Sequence, residues 1–185
     1  LDSTRLAPIA LFVYNRPDHA LKTLTNLKKC KFASESSLFI FSDGPKANAE
    51  SEAMVKKVRE VIRTEAWCKE VNYVESPVNK GLANSLINGI TDITNRFGKV
   101  IVVEDDLQFS PNFLKYMNEG LQLYENEPRV MSINAYIPKL KGNLPETYFL
   151  HIPTWWGWLD RCSLRDGEGT GKGPPGWTPY CSRTS

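Results

Sequence analysis

The chain of 185 residues has the length of one domain, with 41% hydrophobic and 24% charged residues. These proportions are typical of a globular protein and exclude a fibrous or fully disordered chain. The net charge of +2 is too small to predict a nucleic-acid partner. No apolar run approaches the ~20 residues of a membrane-spanning helix, so we expect no transmembrane segment.

Cysteine usage is one of two indications of compartment. No Cys-x-x-Cys pair and no zinc-ligand spacing is present, so we interpret the cysteines as free thiols in a reducing compartment. With no recognisable leader, this predicts a cytoplasmic chain, free or peripheral to a membrane, with the Golgi lumen as the alternative for a eukaryotic fragment. The four residues are Cys30, Cys68, Cys162 and Cys181.

Predicted strands and helices alternate along the chain. Apolar runs predict strands, and apolar residues at helical spacing predict the helices between them. This alternation predicts an α/β, Rossmann-like fold with a mostly parallel central sheet and helices on both faces. No Gly-rich phosphate-binding loop follows the first strand. The predicted strands are 9–14, 38–42, 71–74, 100–103, 130–133 and a fragment at 148–150, and the predicted helices are 17–29, 49–63, 82–97 and one that starts at Pro111 with Ser110 as its cap.

The fourth predicted strand runs directly into three carboxylates, Glu104, Asp105 and Asp106. Its β-branched residues predict a strand that is buried on both faces of a parallel sheet. Three adjacent acids repel one another, and a divalent cation that carries a phosphate ligand would neutralise them. The alternative is a solvated acidic turn.

Other polar side chains follow the earlier strands. The carboxyl ends of parallel strands lie at one edge of a sheet, which is where ligands of open α/β sheets bind. We therefore expect these residues to converge with the acidic segment into a nucleotide-diphosphate site, although each taken alone also fits turn or surface chemistry. They are Asn15 and Arg16 after the first strand, Asp43 after the second, and Lys80 after the third.

Three tryptophans surround one glycine in the sequence Trp155-Trp156-Gly157-Trp158. Aromatic faces stack on sugar rings, and glycine allows a backbone to approach a ligand closely. The alternative is a packing corner beneath a loop.

The acidic segment at residues 102–107, followed by Ser-Pro-Asn-Phe at 110–113, resembles the DXD-type segment of GT-A-fold glycosyltransferases. The nearest likeness is to the N-acetylglucosaminyltransferase I-like group and its short bacterial nucleotide-sugar transferase relatives. Residues 132–136 resemble the strand and loop that follow, and 157–158 resemble a Gly-Trp element of the donor and acceptor pocket. The likeness covers roughly residues 8 to 158.

This resemblance implies transfer of a sugar, hexosyl or N-acetylhexosaminyl, from a nucleotide-sugar donor to a carbohydrate or other hydroxyl acceptor. It implies a UDP-sugar, an inverting reaction, and Mn²⁺ or Mg²⁺ bridging the diphosphate. The implied roles are metal binding by Asp106, ribose and sugar contacts by Glu104 and Asp105, a uracil contact by Asp43, a base or ribose contact by Arg16, and pocket lining by Gly157 and Trp158.

The last part of the chain departs from the family pattern. We expect a GT-A-like nucleotide-sugar-binding domain at 1–158 and an irregular Gly- and Pro-rich tail at 159–185, which would be an incomplete acceptor-side region. The family's catalytic carboxylate lies beyond the Gly-Trp element, where Asp160 and Asp166 are the nearest acids. The alternative function is therefore a non-catalytic or truncated nucleotide-sugar-binding module.

Overall fold

The structure is a computed structural model that describes residues 6–135 and 158–161. Within these residues six strands and four α-helices follow one another along the chain. The strands are β1 (Ile9–Val13), β2 (Ser37–Ser42), β3 (Glu70–Glu75), β4 (Lys99–Glu104), β5 (Ser132–Asn134) and β6 (Trp158–Arg161). The helices are α1 (Pro17–Lys28), α2 (Ala49–Val61), α3 (Leu82–Phe97) and α4 (Phe113–Leu123).

All six strands form one sheet in the order β3-β2-β1-β4-β6-β5. The first four strands pair in parallel, whereas β6 pairs antiparallel with both β4 and β5. The α/β class and the mostly parallel sheet are therefore confirmed. The chain moves outward from β1 to β3 and then returns to place β4 on the other side of β1. The carboxyl ends of β1 and β4 consequently flank the switch point of the sheet, the usual ligand crevice of such folds.

Helices cover both faces of the sheet because successive strand residues point to opposite sides. One face buries Leu11, Ile40 and Val103 in a cluster with residues of α1, α2 and α4. The other face buries Phe12 and Val102 with residues of α3. The short β-branched β4 is thus covered on both sides, as its sequence predicts.

Local sequence signals explain where the first three helices begin or end. Pro17 occupies the first turn of α1, where its missing N–H costs nothing. The side chain of Asn48 caps α2 by accepting a hydrogen bond from the Ser51 N–H at 2.8 Å. Gly98 ends α3 in the left-handed conformation, at φ 74°.

Several predicted boundaries were wrong. The fourth helix begins at Phe113 and not at Pro111, because residues 110–113 form a turn in which the Phe113 N–H donates to the Ser110 carbonyl at 3.0 Å. The predicted strand at 130–133 lies instead at Ser132–Asn134. β6 extends from Trp158 to Arg161, so residues 159–161 of the predicted tail belong to the sheet, and the domain boundary at 158 stays a prediction.

Burial differs among the residues of the predicted helix faces and the cysteines. The helical spacing of apolar residues predicts that Leu21 of α1 and Leu82 of α3 face the core, but both side chains are exposed. Cys30 and Cys68 are buried free thiols.

None of the helices in the described part of the chain is long and apolar enough to cross a membrane. The predicted strand at 148–150 lies outside the described residues, as do the other two cysteines.

Candidate functional site

The acidic segment and Arg16 meet at the switch point of the sheet. β4 ends at Glu104, and Asp105 and Asp106 form the turn that follows. Arg16 directly precedes α1, and its side chain does not cap that helix. Its guanidinium instead pairs with the carboxylate of Asp105, and Nη1 donates to Oδ2 of Asp106 at 3.3 Å. The ends of β1 and β4 are therefore linked by charge.

The two aspartates differ in their exposure to solvent. The side chain of Asp105 is 5% exposed, whereas that of Asp106 is 45% exposed. Burial raises the pKa of Asp105, which the charge and hydrogen bond of Arg16 oppose, and the backbone N–H of Tyr14 also stabilises the carboxylate. Asp105 is therefore an internal anchor of the segment, and Asp106 is the member that faces solvent.

Glu104 is the last residue of β4, whereas Asp105 already belongs to the turn that follows. By alternation Glu104 shares the face of Val102, which packs toward α3. Burial raises the pKa of Glu104, and the negative charges of Asp106 and Asp105 raise it further. Glu104 is therefore the member of the acidic segment on the α3 side of the sheet, within reach of the charges of both aspartates.

Thr23 of α1 contacts the backbone of the turn that carries Asp105 and Asp106. Its hydroxyl is buried and donates to the backbone carbonyls of Asp105, at 2.9 Å, and Leu107, at 3.0 Å. Thr23 is not among the site residues predicted from the sequence. The available signal was a β-branched polar residue on the buried stripe of a helix, where threonine needs a hydrogen-bond partner.

Asp43 binds the loop that leads into α3. Its Oδ1 accepts from the N–H groups of Gly44 and Lys80, both at 2.9 Å. Its Oδ2 accepts from the N–H of Gly81 at 3.0 Å and from the side chain of Asn79 at 3.2 Å. A carboxylate offers about four lone-pair sites, and these bonds use them. A base contact by Asp43 would therefore require one of these bonds to be exchanged.

Gly44, which follows β2, allows the loop at residues 78–81 to approach closely. A Cβ at Gly44 would lie 2.3–2.6 Å from the backbone N, C and O atoms of Val78. No real side chain fits at that distance, so the approach of the two loops requires glycine. Asp43 and Gly44 together fold residues 78–81 over the carboxyl end of the sheet.

The predicted site residues of the first four strands therefore lie at one edge. In the register of the sheet, Val13 pairs with Ser42, and Phe12 pairs with Glu104. Asp43 and Asp105 thus follow β2 and β4, the two strands that flank β1. On the usual strand spacing these two strands lie about 10 Å apart. Asn15 is partly buried in the bend between β1 and α1, and Lys80 is exposed in the loop beside Asp43.

The candidates near the end of the chain are placed differently. In β6, Asp160 pairs with Val100, near the amino end of β4. Four residues along a strand correspond to about 13 Å, so the register separates Asp160 from the Glu104 end of the sheet. The register therefore does not support Asp160 as the catalytic carboxylate. The backbone of Trp158 pairs with Asn134 of β5. Gly157 and Asp166 lie outside the described residues.

The described residues fit a divalent cation only if the protein supplies just part of its coordination shell. Among the described residues, no group of three His, Cys, Asp or Glu side chains is arranged to hold a metal ion. Mg²⁺ and similar hard cations often bind through one or two carboxylates and complete their shell with phosphate oxygens and water. Asp106 offers a half-exposed carboxylate of this kind at the ligand crevice.

Comparison with known proteins supports this interpretation of the fold. A model of the GNT-I family matches residues 89–143, which contain β4, the acidic segment and α4. No curated protein sequence matches the chain. The earlier resemblance to GT-A-type glycosyltransferases is confirmed by this family match and by solved structures.

Two solved structures share the fold at low sequence identity. A mannosyltransferase from Pyrobaculum calidifontis, solved with GDP-Man and Mn²⁺, is 14% identical with a TM-score of 0.50. TarS residues 1–349 from S. aureus is 14% identical with a TM-score of 0.51. The alignments cover 71% and 84% of this chain but only 36% and 47% of those proteins. The chain therefore has a GT-A-type fold and spans between a third and a half of the length of these two structures.

Proposed function

We propose that this GT-A-fold chain binds a nucleotide-sugar, together with Mn²⁺ or Mg²⁺, as the donor side of a glycosyltransferase. The observation that carries the proposal is the pairing of Arg16 with Asp105 and Asp106 at the switch point of the sheet. It places a cationic and an anionic group side by side where ligands of this fold class bind. The GNT-I match covers the same acidic segment.

The proposed roles follow from exposure. Asp106 would hold the cation, since its carboxylate faces solvent while Asp105 is buried. The cation would stabilise negative charge on the diphosphate that leaves the sugar. Arg16 would contact a phosphate, base or ribose oxygen through the part of its guanidinium that stays exposed. Asp105 would keep the segment in place, with Glu104 at the rim toward the ribose and sugar.

The other edge residues would shape the nucleotide pocket. Asp43 holds residues 79–81 across the end of β2, which would form one wall beside the base. Lys80 would reach a phosphate from that loop, and Asn15 would line the floor between β1 and α1. A direct base contact by Asp43 stays a prediction, as does the lining role of Gly157 and Trp158.

The finer chemistry rests on the resemblance. We favour a UDP-sugar donor, an acceptor hydroxyl on a carbohydrate or another molecule, and inversion at the anomeric carbon. A general base would remove the acceptor proton, and its identity is open, with Asp166 as the remaining sequence candidate. The alternative is a module that binds the donor without transferring the sugar.

Isothermal titration of UDP and GDP, with Mn²⁺ and with EDTA, tests the proposal. We expect Mn²⁺ to strengthen binding of at least one nucleotide about tenfold or more, and Asp106→Ala to abolish that gain. Asp92→Ala is the matched control, since Asp92 is an exposed aspartate of α3 that also pairs with an arginine. If UDP and GDP each bind as tightly in EDTA as in Mn²⁺, the proposed metal site is overturned.

A donor assay then separates the two functions. Release of sugar from UDP- or GDP-sugars in the presence of Mn²⁺ would favour the enzyme. Metal-dependent binding without any release or transfer would favour the binding module.

A further inference from the structure

Two threonines of α1 use their hydroxyl groups in different ways. Thr25 donates to the carbonyl of Leu21 at 2.7 Å, four residues earlier in the same helix. Such local bonds are common for threonine inside helices. The hydroxyl of Thr23 instead leaves the helix and divides its one proton between the carbonyls of Asp105 and Leu107. These carbonyls lie on either side of Asp106.

Thr23 and Arg16 contact the acidic turn from α1 and from the residue that precedes it. Arg16 comes directly before the helix, and Thr23 lies seven residues later, about two turns along it. Arg16 binds the carboxylates of the turn, and Thr23 binds its backbone. Helix α1 and the residue before it therefore hold both the side chains and the peptide groups around Asp106.

Burial makes the Thr23 contact specific. The residue is 1% exposed, so water cannot take its place at the two carbonyls. A nonpolar side chain of the same shape would leave these carbonyls without the hydroxyl donor. The turn that carries Asp106 would then lose its two hydrogen bonds to Thr23.

We propose that Thr23 is a positioning residue for the cation site, because it fixes the turn from which Asp106 binds the metal–diphosphate pair. This inference rests on the proposed function. It assigns to α1 a role beyond packing, since a buried hydroxyl of the helix controls a carboxylate that reaches solvent.

Three variants of the full chain test this role. Thr23→Val keeps the shape and removes the donor, and Thr23→Ser keeps the donor. Thr25→Val removes the local hydroxyl of the same helix and is the matched control. UDP and GDP are titrated with Mn²⁺ and with EDTA, and exchange of the Leu107 amide is followed without ligand.

We expect Thr23→Val to weaken Mn²⁺-dependent nucleotide binding about tenfold, as loss of supporting partners commonly does at metal sites. Binding in EDTA should be unchanged, and the Leu107 amide should exchange faster. Thr23→Ser should restore both properties, and Thr25→Val should alter neither.

The two proposals fail in different ways. If the wild-type chain binds nucleotide equally with Mn²⁺ and EDTA, the metal site itself is overturned, and the role of Thr23 falls with it. If the wild-type chain shows the Mn²⁺ effect but Thr23→Val retains it, only the role of Thr23 is overturned. Equal weakening with Mn²⁺ and EDTA would likewise overturn it, because that result indicates general damage to the fold.

Discussion

The guanidinium of Arg16 pairs with the carboxylate of Asp105, which is nearly completely buried at the end of β4. The two residues lie 89 positions apart in the chain and meet because β1 and β4 are neighbours in the sheet. The same guanidinium reaches the exposed Asp106. One arginine therefore neutralises an internal charge and contacts the carboxylate to which we assign the cation.

Arg16→Gln should destabilise the fold by about 2 kcal/mol at neutral pH, because it leaves the buried Asp105 without its counter-charge. Urea denaturation measures this loss. Asp105→Asn removes the need for a counter-charge, so the double variant should be more stable than the sum of the single effects predicts. Arg96→Gln breaks an exposed pair in α3 and should cost less than about 0.5 kcal/mol. Additive effects of Arg16→Gln and Asp105→Asn would contradict the pairing.

Glu104 should make stability depend on pH. Its pKa in the fold is raised above the ordinary value of 4.5 by burial and by the nearby Asp106 and Asp105. The fold therefore favours the protonated form of Glu104. The contribution of this proton to the free energy of unfolding is complete below the ordinary pKa and is lost as pH rises through the raised pKa. Glu104→Gln mimics the protonated form and should be more stable than the wild type at neutral pH, by at most about 1 kcal/mol.

Urea denaturation in metal-free buffer, from about pH 4 to about pH 7, tests the Glu104 prediction. The advantage of the glutamine variant should shrink as pH falls, because the wild-type side chain then takes up its proton. An advantage that stays constant over this range would show that titration of Glu104 is not its cause.

Asp43→Asn should loosen residues 79–81, because an amide presents donors to backbone N–H groups that need acceptors. We expect a loss of about 2 kcal/mol in stability and faster exchange of the Lys80 and Gly81 amides. If Asp43 also contacts a base, the variant should weaken UDP more than pyrophosphate, both with Mn²⁺. Asn79→Ala is the control, since it removes the two side-chain bonds of Asn79, to Asp43 and to the Gly44 carbonyl, and keeps the carboxylate. Equal weakening of UDP and pyrophosphate by Asp43→Asn would exclude the base contact.

The sequence by itself determined the alternating strands and helices, because hydrophobic periodicity is a local property of the chain. It also placed Arg16, Asp43 and the acidic segment at strand ends, and parallel strands bring such ends to one edge. The boundaries were less well determined. Ser110-Pro111 has the chemistry of a helix start, but the chain uses it as a turn before Phe113.

Only the tertiary structure decided which strand ends are neighbours and which carboxylates reach solvent. The position of β4 beside β1 separates the buried Asp105 from the exposed Asp106, and it brings Thr23 beneath them. The pairing of β6 with the start of β4 separates Asp160 from the site. These relationships join residues that are far apart in the chain, and local sequence patterns carry no information about which distant elements will pack together.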